Sequence, residues 1–146
     1  MSAQDLGPLY IFGGLAVAYI LVRRPSKDFT WQELTTTGTG LPNNPGPADR
    51  ARLVLLAREV LQPLRDEFGP IRITSAYRSE AVNSAPSVRG APTSHHLKGS
   101  AVDLYSVDGT TAGEMAAWLF SRTEIPLAEV IIEPTGHLHV AREISG

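Results

Sequence analysis

Leu53, Leu56, Ala57, Val60, Leu61, Leu64 and Phe68 recur at spacings of three, four and seven. That is the period of one apolar helix face. A helix is therefore expected from about residue 48, bent at Pro63 and ended by Gly69-Pro70. Ile71 to Ser75 then alternates as a half-buried strand does, and Ser100 to Tyr105 reads as a second strand. Between them a short helix is expected at Glu80 to Ser84, followed by a loop rich in Pro, Gly and Ser over residues 85–95. Thr111 and Glu114 have the spacing of a capping box. They should open a helix through Met115, Trp118 and Leu119. Val130 to Ile132 is expected to be a buried strand, Pro134 to Gly136 a turn, and His137 to Val140 a returning strand. Phe29 to Leu34 has room for one helical turn. The mixture of helices with short, hairpin-connected strands predicts an α+β fold, a small antiparallel sheet with flanking helices.

The N-terminal pattern is different. Leu6 to Val22 is an uncharged, mostly apolar run between Asp5 and Arg23. As a helix it would span about 25 Å, the short end of a membrane crossing. Its acidic start, the basic pair Arg23-Arg24 behind it and the lack of a small-residue cleavage site argue against a signal peptide. Three segments are thus expected: a membrane helix within residues 1–24, a linker and lead-in over 25–47, and a catalytic-size domain over 48–146. Contact with a membrane is expected through residues 6–22. The basic residues after the run would keep the domain on their own side of it.

Composition narrows the chemistry. The 146 residues carry a net charge of −2, which argues against a nucleic-acid binder built on phosphate contacts. There is no cysteine, so disulfide scaffolds, zinc ribbons and thiol nucleophiles are excluded. Any metal must be held by His, Asp or Glu. The four histidines fall in two clusters, His95-His96 and His137/His139. Residues i and i+2 of a strand share a face, so His137 and His139 should point the same way. Asp103 lies in the apolar run Ala101 to Tyr105, where a carboxylate needs a partner or a metal. It can meet His96 if Gly99 lets the chain turn sharply. Two histidines and an aspartate are the ligand count of catalytic zinc, which keeps a fourth position for water. A ferrous facial triad shares that donor set. There, however, the first His and the acid usually stand two apart, and here the gap is seven.

Three blocks agree in order and spacing. They are Tyr77-Arg78-Ser79 after a strand, S-x-H-x-x-G-x-A-x-D from Ser94 to Asp103, and H-x-H from His137 to His139. Together they resemble the zinc D-alanyl-D-alanine carboxypeptidase family of peptidoglycan peptidases, whose fold is shared with the signalling domain of Hedgehog proteins. The resemblance covers about residues 29–143. It departs at Ala76, where relatives often have glycine.

By position, the resemblance implies one zinc ion per chain, held by His96, Asp103 and His139. His95 fills a variable place and is not implied as a ligand. Arg78 is implied to contact substrate and polarise the scissile carbonyl, and Ser94 to hold substrate or orient the site. The general base is open between Glu133 and His137. Glu133 is the favoured base, with His137 as a partner in the transition state. The expected function is hydrolysis of peptidoglycan stem peptides, as a carboxypeptidase or endopeptidase, at the bacterial cell envelope. A membrane-anchored or phage virion-associated lytic enzyme would fit both the domain and the apolar run. The alternative is a catalytically silent zinc domain that binds cell wall or a protein partner.

Overall fold

A computed structural model describes residues 22–144 of the chain. Its core is a four-stranded antiparallel sheet in the order β1-β2-β4-β3. The strands are β1 (Ile71–Ser75), β2 (Ala101–Ser106), β3 (Leu127–Ile132) and β4 (Leu138–Arg142). Alternation divides the two faces. Val102, Leu104, Leu138 and Val140 are fully buried on one. The intervening Asp103, Tyr105 and His139 belong to the other, which carries the site.

Among the described residues, five short helices accompany the sheet. α1 is Trp31–Thr35, α2 is Pro47–Leu56, α3 is Gln62–Phe68, α4 is Glu80–Ser84 and α5 is Ala112–Phe120. α2 and α3 are joined without a break by a π-helical turn over Ala57–Leu61. This turn is where Pro63 acts. Proline has no N–H to give, and its ring would crowd the carbonyl four residues back. The Gln62 N–H reaches instead to the carbonyl of Ala57, one residue further than in an α-helix. The apolar face expected from the spacing is the one buried: Leu53, Leu56, Ala57, Val60, Leu61 and Leu64 have no exposed surface. α5 opens with the expected capping box between Thr111 and Glu114, and buries Met115 and Leu119.

Two expectations change. β3 is an edge strand, not a buried one: Ile131 and Ile132 are 46% and 56% exposed. The centre of that hairpin is β4, buried along its whole length because it pairs on both sides. Residues 25–47, expected as linker and lead-in, pack against the domain. Phe29 and Leu34 lie in the core, and Thr30 caps α1 with a reciprocal capping box to Glu33. Asn43 ties this segment down, donating to the carbonyls of Thr35 and Tyr77 and accepting from the Ser79 N–H.

The expected helix over the apolar N-terminal run lies outside the described residues, apart from its last member. Val22 is buried, and its carbonyl accepts the indole N–H of Trp31 at 2.9 Å. Among the described residues no helix is long and apolar enough to cross a membrane.

Candidate metal centre

His96 is delivered by a single 3₁₀ turn, His95–Lys98. The Ser94 hydroxyl caps that turn by accepting the His96 N–H at 3.2 Å. The turn ends at Gly99 in the left-handed region, at φ +71°. Only glycine takes this conformation freely. A Cβ here would also stand 2.7 Å from the carbonyl oxygen of Asp49. The chain then enters β2 and presents Asp103 beside the ring it has just placed. β4 supplies the third group, since His139 is the register partner of Asp103.

The donor atoms of His96, Asp103 and His139 lie within 4.8 Å of one another. His96 Nε2 is 3.3 Å from Asp103 Oδ2, and His139 Nδ1 is 2.7 Å from Asp103 Oδ1. The outer nitrogen of His96, Nδ1, is 2.6 Å from the Ala76 carbonyl. That carbonyl can only accept, so Nδ1 carries a proton, and Nε2 is the nitrogen turned towards Asp103. Two imidazole nitrogens and a carboxylate oxygen suit zinc, and they leave a coordination position open.

Electrostatics bind the group together. Burial opposes the ionised form of Asp103. Hydrogen bonds from His139 and His96, with their charges, overcome that and hold the carboxyl far below the usual carboxylate range. Burial likewise disfavours the protonated ring of His139, but hydrogen bonds to Asp103 and Glu129 outweigh it and raise the pKa. Burial also lowers the pKa of Arg78, against the attraction of Asp103.

Arg78 approaches the metal group from its other side. Its Nη2 is 3.3 Å from Asp103 Oδ2, its Nε donates to the Ser75 hydroxyl at 3.0 Å, and its Nη1 reaches Asn83 Oδ1 at 3.5 Å. A bulge in β1 between Ile73 and Ser75, directly opposite Asp103, supplies that hydroxyl. A cavity of about 390 Å³ opens beside Arg78, lined by Thr36, Thr37, Thr39, Thr74 and Ser75. A second, of about 230 Å³, opens beside His139, lined by Ser94, His95, Glu129, Ile131 and Glu133.

The two candidate bases lie at the turn between β3 and β4. Glu133 lines the second opening. His137 precedes β4 and stacks on Tyr105, with ring centroids 5.0 Å apart and planes at 21°. The Glu133 N–H donates to the His137 carbonyl at 2.9 Å, so the two close one turn. His95 is not in the metal group; its Nδ1 stands 3.6 Å from Glu129 Oε1. Sequence reasoning missed Glu129, whose Oε2 is 2.9 Å from His139 Nε2. A signal was available, because Glu129, Ile131 and Glu133 alternate. It was lost by starting the strand at Val130.

The sequence model of the Peptidase M15 family matches residues 27–141. That span contains every group just described. Comparison with curated proteins gave no match.

Proposed function

From the premise that the chain belongs to the Peptidase M15 family of zinc D-alanyl-D-alanine carboxypeptidase-like peptidases, we propose that it hydrolyses peptide bonds in the stem peptides or cross-links of bacterial peptidoglycan. The observation that carries this is the meeting of His96, Asp103 and His139 with Arg78 at Oδ2 of Asp103, the oxygen that His96 Nε2 also faces. A guanidinium fixed at that point suits an oxygen that gains negative charge during hydrolysis.

His96, Asp103 and His139 would hold the zinc. When bound there, zinc supplies a Lewis acid for the carbonyl and lowers the pKa of water. The protein's own groups do the rest. Arg78 is steadied by Ser75, Asn83 and Asp103, and directs its remaining N–H groups at the oxygen of the scissile carbonyl. That oxygen gains negative charge as water adds, so the interaction strengthens in the transition state. Glu133 takes the proton from the attacking water and passes it to the departing amine nitrogen. The His137 ring, held against Tyr105, donates to the tetrahedral intermediate. The substrate strand would cross the site between the threonine-lined cavity and the cleft beside His139. The enzyme acts at the cell envelope, where this substrate lies, and the apolar run at residues 6–22 would serve to anchor it.

Release of dye from labelled peptidoglycan tests hydrolysis against simple binding. Mass spectrometry of the products then identifies the bond cut. Zinc-loaded protein that binds wall material and releases nothing would overturn the proposal in favour of a silent binding domain.

A further inference from the structure

We infer that Glu129 is a positioning residue for the metal centre: it holds the proton of His139 on Nε2 and so leaves Nδ1 bare for the metal. This rests on the zinc reading above, and extends it to a residue outside the ligand set.

The geometry is direct. His139 stands between two carboxylates, with Asp103 Oδ1 at 2.7 Å from Nδ1 and Glu129 Oε2 at 2.9 Å from Nε2. A neutral imidazole has one protonated nitrogen and one bare one. The bare one must be Nδ1, because that nitrogen faces Asp103 and the third ligand. Asp103 cannot make this choice, because it faces the nitrogen that must be bare. Glu129 supplies a hydrogen-bond acceptor at the other nitrogen, Nε2. The ring also stands between the two carboxylates, so Glu129 meets the nitrogen turned away from the metal group.

His96 has the same arrangement. Its outer nitrogen donates to the Ala76 carbonyl at 2.6 Å, and its inner nitrogen faces Asp103. Each ligand histidine therefore has one outer acceptor. For His96 it is backbone, which mutation cannot remove. For His139 it is a side chain reaching in from the edge strand β3, where it is half-buried. Acceptors of this kind fix ring orientation, and their loss typically lowers metal affinity about 10–100-fold.

The test is zinc affinity, measured on the whole protein by competition with a chromophoric chelator, for wild type and three variants. Glu129→Ala should weaken zinc binding by about 10–100-fold. Glu129→Gln keeps an acceptor oxygen at the same reach and should recover most of that loss. Glu129→Asp keeps the charge but falls one methylene short, so it should bind nearly as weakly as the alanine variant. Long-range ¹⁵N–¹H correlation on the zinc form should show the His139 proton on Nε2 in wild type and in Glu129→Gln. Unchanged affinity in Glu129→Ala overturns the inference, whatever happens to activity. So does a glutamine variant as weak as alanine, which would mean a direct ligand or a purely electrostatic effect. A wild type that binds no zinc would instead remove the metal reading itself.

Discussion

His96 and Asp103 are seven residues apart in the chain, and His96 Nε2 lies 3.3 Å from Asp103 Oδ2. Gly99 makes this possible by reversing the chain at φ +71° under the Asp49 carbonyl and Leu53. Gly99→Ala should therefore destabilise the protein by roughly 2–4 kcal/mol, combining left-handed strain with a clash against backbone. Chemical denaturation of the metal-free protein would measure it. A loss below about 0.5 kcal/mol, the range of ordinary surface changes, would contradict the account.

Zinc content should separate the ligands from their neighbours. His96→Ala, Asp103→Ala and His139→Ala should each lose stoichiometric zinc and activity together, because two donors hold the ion poorly. His95→Ala should retain near one zinc per chain. Elemental analysis after dialysis decides between these outcomes.

Glu133→Gln keeps the shape of the side chain but removes the proton acceptor. Hydrolysis should fall by about 10²–10⁴-fold with zinc retained, the usual scale of general acid–base catalysis. His137→Ala is the comparison. A smaller loss there supports Glu133 as the base, and a larger one reverses the two roles. Initial rates on wall peptide provide the measurement.

Arg78→Lys keeps a positive charge but not the planar donor set that spans Ser75, Asn83 and Asp103. We expect kcat to fall by about 10²–10³-fold, the scale of a lost oxyanion donor, with zinc content unchanged. A variant impaired only in KM would assign Arg78 to ground-state binding.

Zinc affinity should fall as the solution is made more acidic. A metal-free His139 whose pKa is raised keeps its proton to higher pH than an ordinary histidine, and zinc must displace that proton. Below the folded pKa, each unit of falling pH should cost up to about tenfold in apparent affinity from this one group, with proton release on binding. Above it the dependence should flatten. Chelator competition from pH ~8 to ~5.5, a range that brackets the ordinary histidine pKa, would show the slope; a flat profile would contradict it.

Local rules acted on neighbouring residues, and these were legible in the sequence alone. The helical face from Leu53 to Leu64, the capping box at Thr111 and Glu114, the alternation of β1 and the turn at Gly99 each follow from periodicity or from one residue's backbone freedom. The turn at Gly99 brings His96 to Asp103 locally, whereas His139 meets Asp103 through the pairing of β2 with β4, which in the sequence only the family resemblance anticipated. Tertiary structure decided what depended on strand order. β4 rather than β3 became the central strand, which exposed Ile131 and Ile132 and left the Glu129 side chain free to reach His139. Phe29 and Leu34 joined the core through contacts that only the folded chain makes, the Leu34 carbonyl accepting the Tyr77 N–H. The spacing of Glu129, Ile131 and Glu133 could place Glu129 on the site face, but its partner is a ring ten residues away that only β-pairing brings alongside.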